Sequence, residues 1–178
     1  MIRTPPVPLD RVTHLILQVF KLNGRLLAAG DRLVQDIGLT SARWQVLGAI
    51  ALADTPQPVA NIARAMGLSR QAVQRTVNEL VTTGLLELVP NPHHQKASLV
   101  VLTKRGAAAY EAAHARQVPW ARMLGGGVRE SDLVTAERVL SELVERLETD
   151  RSAIKAGGRR RRAARPAKPN RRSHGQAG

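Results

Sequence analysis

Residues Pro58–Leu80, PVANIARAMGLSRQAVQRTVNEL, hold two apolar-faced segments of unequal length on either side of Met66-Gly67-Leu68. The first predicts a short helix from Val59 to about Ala65, with Val59, Ile62, Ala63 and Met66 turned inward at helical spacing. Gly67 supplies a turn where positive φ is needed, and Ser69 is placed to cap a second helix running to about Thr82. That second helix separates into two faces. Val73, Val77, Leu80 and Val81 stand on one side, to pack on the first helix. Ser69, Arg70, Gln71, Gln74, Arg75 and Asn78 stand on the other. Any amphipathic surface helix has a polar face, so this alone decides little. Two Arg with no acid before Glu79, after a seven-residue helix and a glycine turn, favour a helix-turn-helix. Arg can donate a bidentate pair to guanine, Gln or Asn can do the same to adenine, and Arg also holds phosphates.

Downstream, LLELVPNPHHQKASLVVLT (Leu85–Thr103) reads as two short β-prone runs, Leu85–Val89 and Ser98–Leu102, around a polar, proline-rich tip. A hairpin following a helix-turn-helix is a wing, whose tip meets the DNA backbone or minor groove. His93, His94 and Lys96 are the candidate wing contacts.

Upstream, Thr4–Pro8 carries three prolines and reads as part of an extended arm, residues 1–8. From Leu9 apolar residues recur at three- and four-residue steps through Ile37, predicting an amphipathic helix of roughly 25 residues, loosened at Gly24 or Gly30. Its length suits either a long core helix or a stripe in a dimer interface. Thr40 or Ser41 can cap the next helix, ARWQVLGAIALA, and Asp54–Pro58 breaks the chain after it. Thr103 can cap a helix from Lys104 to about Leu124, kinked at Pro119. After Gly125-Gly126-Gly127, Ser131 can cap a last helix to about Thr149 whose apolar stripe includes Leu133, Val134, Leu140, Val144 and Leu147. Both terminal helices carry more apolar surface than one winged domain can cover, which mutual burial in a homodimer would remove. The expected architecture is mainly α with a small β-hairpin wing: a winged helix-turn-helix domain plus N- and C-terminal dimerisation helices over residues 9–150, with a DNA-binding core at 40–102.

The charge of +13 on 178 residues is unevenly placed. Residues 1–150 hold 17 Lys+Arg and all 14 Asp+Glu, whereas residues 151–178 hold the other 10 basic residues and no acid. With Gly and Pro throughout, 151–178 reads as a disordered basic tail, either a solubilising extension or a sequence-independent clamp on DNA phosphates through Arg159, Arg160, Arg161 and Arg162. The absence of Cys excludes disulfides, thiol catalysis and thiolate metal sites. No stretch approaches the ~20 apolar residues of a membrane span or the length of a signal-peptide core, so a cytoplasmic, nucleoid-associated protein is expected. No catalytic constellation or glycine-rich phosphate loop is present. His93-His94 without a neighbouring carboxylate makes a poor metal site. No enzyme activity, metal or cofactor is expected.

The runs LTSARWQVLGAI (39–50), IARAMGLSRQAVQRTVNELVTTGLLE (62–87) and LVPNPHHQKASLVVLTKRGAAAY (88–110) together resemble the MarR family of bacterial transcriptional regulators. The spacing of the helix-turn-helix, Gly84, the Pro-Asn-Pro wing and Leu-Thr-Lys-Arg-Gly carries the resemblance, which extends over about residues 10–148. It implies a homodimer with interleaved terminal helices, each subunit's wing domain reading half of a pseudo-palindromic operator, in most cases to repress. The family's wing usually carries an acid and an Arg near its tip; His94 and Lys96 stand at those places, leaving Lys96 as the wing contact. The resemblance also implies a small aromatic or anionic effector between the dimer base and the winged domain, with His14, Arg43 and Trp44 as candidate ligands by position. Two other readings stay open. One is a non-specific nucleoid-associated protein driven by its tail, and the other a protein-interaction module or enzyme accessory subunit that uses the winged fold without DNA.

Overall fold

A computed structural model of the chain describes residues 9–94 and 97–163, the side chains of 151–163 excepted. The elements in order are α1 (Leu9–Val34), α2 (Ser41–Ala51), β1 (Gln57–Pro58), α3 (Val59–Ala65), α4 (Arg70–Thr82), β2 (Leu86–Val89), β3 (Leu99–Leu102), α5 (Lys104–Leu124) and α6 (Glu130–Ala163). This is the mainly helical fold with a small antiparallel sheet that the periodicity indicates. The chain divides into two compact units, one up to Leu124 and one from Gly125.

The first unit closes around a core that the sequence supplies from each of its five helices and from β2 and β3. Val34, Val46, Leu47, Val73, Val77, Leu80, Leu86 and Val100 are all buried, with Ile62 and Ala63 of α3 beside them. Removing such side chains from water contributes about 1.5–3 kcal/mol each. Helix α3 ends in a glycine turn. Gly67 sits at φ 66°, Gly67 N donates to Arg64 O, and Leu68 N reaches back to Ala63 O at 2.9 Å. The paired bonds satisfy carbonyls that a helix end leaves open and set the direction of α4. The sheet has the order β1-β3-β2, with Leu86 opposite Leu102 and Val89 opposite Leu99. The segment Asp54–Pro58, read as a break, also holds β1: Gln57 pairs with Val100 and Pro58 with Leu99. Two residues are a strand only through that pairing, and Pro58 is tolerated because it lies on the sheet's edge.

Helix α1 runs unbroken through Gly24 and Gly30 and then tightens into a 3-10 turn at Gln35–Ile37. Gly30 is a point of close packing, not a loosening. A Cβ there would collide with the Ser41 hydroxyl. Ser41 is not the cap of α2; Thr40 is, its side chain accepting from Arg43 N at 3.3 Å. Ser41 is instead a buried polar joint, its Oγ donating to Leu27 O at 2.8 Å and its N donating to Asp31 Oδ1 at 2.6 Å. The turn after α1 is also held to α5, where the Arg116 guanidinium makes paired bonds to Asp36 at 2.6 and 3.2 Å. Those bonds hold the exposed Asp36 carboxyl below its ordinary pKa.

The second unit is α6. Ser131 lies inside this helix and does not cap it: Asp132 N and Leu133 N both donate to Arg129 O, and the Arg129 guanidinium pairs with Asp132 at 2.8 Å. The helix also passes the expected end near Thr149 and continues to Ala163. The run DRSAIKAGGRRRRA is rich in Ala, Lys and Arg, which favour helix, with Gly157-Gly158 as the only breakers before Pro166. The tail read as disordered from Arg151 is thus helical in its first part; residues 164–178 and the 1–8 arm lie outside the described residues. No described helix is long and apolar enough to cross a membrane.

The Gly30–Ser41 joint makes a specific prediction. Gly30→Ala should destabilise by about 1–3 kcal/mol through overpacking, against the ~0.5–1 kcal/mol that Ala ordinarily gains in a helix. Ser41→Ala should cost ~1 kcal/mol through its lost hydrogen bond. In the double variant the new methyl would lie 3.5 Å from the residue-41 Cβ, an ordinary contact. Denaturant unfolding of the four proteins should therefore show the double variant less destabilised than the sum of the singles; additive losses would contradict the joint.

Candidate nucleic-acid interface

Helix α4 begins where the sequence places it. Ser69 is extended at φ −71°, ψ 143°, and its hydroxyl accepts from Ala72 N at 3.2 Å. With Val73, Val77 and Leu80 buried, the opposite face must point outward, and Ser69, Arg70, Gln71, Arg75 and Asn78 are exposed. Gln74 is half-buried and donates its amide to Asn78 Oδ1 at 2.9 Å. One bond uses a fraction of what two carboxamides can make, so each keeps a donor and an acceptor for a base edge. The six residues read as a recognition surface are therefore one continuous face.

Its electrostatics depend on a residue that the sequence assigned elsewhere. Glu79, the acid on α4, is held by Arg43 of α2, Nε at 3.3 Å and Nη2 at 3.2 Å from Oε2. Among the described residues Arg70 and Arg75 have no acid within salt-bridge distance, so the outward face keeps a net positive charge. Arg64 on α3 is a further exposed cation that sequence reading passed over. A chain of bonds from Thr55 through Gln57 and Asn61 reaches its guanidinium, Asn61 Oδ1 lying 3.2 Å from Nη1. The i, i+3 and i, i+4 spacing of Gln57, Asn61 and Arg64 was the available signal.

The base of the wing is tied to the end of α4 by Leu85 N, which donates to Leu80 O at 2.9 Å, and by Thr103. Thr103 Oγ1 donates to Gly84 O at 2.8 Å and accepts from Gly106 N at 3.0 Å, so it joins the start of the wing to the start of α5 as the predicted cap. At the tip Asn91 Oδ1 accepts from His93 N at 2.9 Å, and Asn91 O accepts from His94 N at 3.2 Å. His93 and His94 are both exposed. Lys96, the expected wing contact, lies outside the described residues. Arg159, Arg160, Arg161 and Arg162 lie on the last turns of α6, where only the backbone is described.

The three residues considered as effector ligands do not converge. His14 sits in a shallow depression of α1 and accepts from the Gln18 amide at 3.2 Å. Arg43 is engaged with Glu79 beside Arg75 and Asn78. Trp44 alone faces a cleft of about 430 Å³ formed by α1, α2 and α5. The reason is helical geometry, since neighbours such as Arg43 and Trp44 point about 100° apart. Sequence reading missed Gln45, Tyr110, Gln117 and Trp120 in that cleft. Their signal was the scarcity of aromatics.

Comparison with known proteins agrees with this geometry. A family model described as MarR family matches residues 37–97. An uncharacterised protein of Mycobacterium tuberculosis is 34% identical over 142 residues, covering 80% of this chain and 98% of that protein. The multiple antibiotic resistance protein MarR of Escherichia coli is 32% identical over 108 residues, 61% of this chain and 70% of MarR. The solved complex of a mutant E. coli MarR with operator DNA matches with a TM-score of 0.67 at 22% identity, over 78% of this chain and 99% of that one. CouR of Rhodococcus jostii bound to p-coumaroyl-CoA matches with a TM-score of 0.66 at 19% identity, over 72% and 90%. At those identities the two structures establish the fold.

Arg43 should act on DNA binding through Glu79. Arg43→Ala alters an exposed ion pair and should change folding stability by no more than ~1 kcal/mol. It would, however, uncover a carboxylate on the outward face and weaken duplex binding in a gel-shift titration. Adding Glu79→Gln should restore the affinity; a double variant as weak as Arg43→Ala would show that Arg43 acts directly.

Proposed function

Since this chain belongs to the MarR family of DNA-binding transcriptional regulators, which are not enzymes, we propose that it binds a pseudo-palindromic operator as a homodimer and represses transcription by occluding polymerase. The observation that carries this reading is the face of α4: Arg70, Gln71, Arg75 and Asn78 exposed with Gln74 between them, and the helix's own acid neutralised by Arg43. Ser69 to Asn78 would enter the major groove, with Arg70, Gln71, Gln74 and Arg75 reading bases. His93, His94 and Lys96 would meet the backbone or minor groove from the wing.

A homodimer supplies the second half-site. Apolar side chains stand exposed along α1, with Phe20 68% and Leu17 59% accessible, and along α6, with Leu147 69% and Val134 59%. Stripes of this size on a chain by itself mark surfaces to be covered. The 10 basic residues and no acid of 151–178 support a sequence-independent grip by Arg159, Arg160, Arg161 and Arg162. The same tail is what favours the second reading, a non-specific nucleoid-associated protein. We place the protein in the cytoplasm, and assign its release from DNA to a small aromatic or anionic effector, a reading supported by the ligand-bound CouR fold.

Arg70→Ala and Gln74→Ala should each cost ~1–3 kcal/mol at the operator and relax base preference at one position. Unchanged operator affinity in both would remove the recognition-helix assignment. Deletion of 151–178 should weaken binding to all sequences and flatten the dependence of affinity on salt. Equal slopes for the two proteins would leave the tail without an electrostatic role. Light scattering at micromolar concentration should give the mass of two chains, and a monomer would exclude the paired reader.

A further inference from the structure

Gln74 and Asn78 stand one turn apart on the outward face of α4, and Gln74 Nε2 donates to Asn78 Oδ1 at 2.9 Å. Among the described residues this is the one side-chain bond that joins two members of that face; Arg70, Gln71 and Arg75 make none. Gln74 is also half-buried where Gln71 and Arg75 are exposed, which leaves its side chain less room to turn. An amide held in this way reaches DNA with fewer rotations left to freeze on contact.

The direction of the bond decides what Gln74 can still offer. A carboxamide carries two N–H donors and a carbonyl acceptor. With one N–H committed to Asn78 Oδ1, Gln74 keeps a single N–H on Nε2 beside the acceptor Oε1. Adenine presents the complement of that pair in the major groove, the acceptor N7 and the amino group at N6. Guanine presents two acceptors, N7 and O6, so it could take one bond from Gln74 and would set its O6 against Oε1. A bond of the opposite direction, with Asn78 donating to Oε1, would free both N–H groups of Gln74 and match guanine instead. Gln71, bonded to nothing among the described residues, keeps both patterns available and imposes neither base.

We propose that Gln74 selects adenine at one position of each operator half-site, and that Asn78 is a positioning residue that imposes this choice by holding the Gln74 amide, without itself touching a base. The proposal rests on the operator reading above and goes beyond it by naming a base and the side chain that fixes it.

Selection from random duplexes by the full chain supplies the operator, and gel-shift titrations then compare it with copies carrying single base-pair changes in one half-site. One adenine should lose at least about tenfold in affinity (~1.4 kcal/mol) when replaced by guanine. Its replacement by 7-deazaadenine, which lacks the N7 acceptor, should also weaken binding. Gln74→Ala should abolish both effects at that position and keep the preferences elsewhere. Asn78→Ala should reduce the adenine-over-guanine ratio there to about threefold or less. Asn78→Asp, whose carboxylate still accepts from Gln74 Nε2, should restore the ratio while its negative charge weakens binding to both duplexes alike. A guanine at the position that Gln74 reads, no position that depends on Gln74, an unchanged ratio in Asn78→Ala, or a ratio that Asn78→Asp does not restore would each overturn the proposal and leave the operator reading standing. A pool from which no operator emerges would remove the sequence-specific regulator and this proposal with it.

Discussion

Burial of one face of α4 governs the rest of the molecule. Val73, Val77 and Leu80 are at most 1% accessible, packed among α2, α3 and the sheet, and their spacing of three and four residues fixes the rotation of the helix about its own axis. Once that rotation is set, Arg70, Gln74, Arg75 and Asn78 have nowhere to point but outward. The same constraint explains the glycine at position 67. A residue with a Cβ would strain at φ 66°, and a longer turn would release α4 from the direction in which α3 holds it.

Two connections extend this control. Arg43 ties α2 to the outward side of α4 and neutralises the acid there, so a packing helix also sets the charge of that outward face. Thr103 ties the wing base to the residues that end α4 while capping α5. The wing, the end of α4 and α5 therefore meet at Thr103.

Much of this was readable because local rules and tertiary packing agree. The caps at Ser69 and Thr103, the span of α3 and the two faces of α4 follow from side-chain chemistry within a few residues. What escaped depends on distant partners. β1 exists through pairing with β3, some forty residues on, and Asp54–Pro58 alone gives only a break. Gly30 reads as a weakness until Ser41 is seen against it, and Arg43 reads as a surface or ligand residue until Glu79, 36 residues away, is seen beside it. The end of α6 is hidden in the sequence because charge and Gly157-Gly158 suggest dissolution, whereas the Ala, Lys and Arg around them retain helical propensity.

The central claim is that one face of α4, doubled by a dimer, supplies sequence preference while the basic tail supplies grip. Selection of full-length protein against a pool of random duplexes at ~150 mM salt tests both halves at once, since specific binders typically exceed non-specific affinity at least ~10³-fold. The account predicts enrichment of an inverted repeat with half-site centres about one helical turn, ~10 bp, apart or a multiple of it. A pool that remains random after repeated rounds, or that yields a single unpaired half-site, would contradict it.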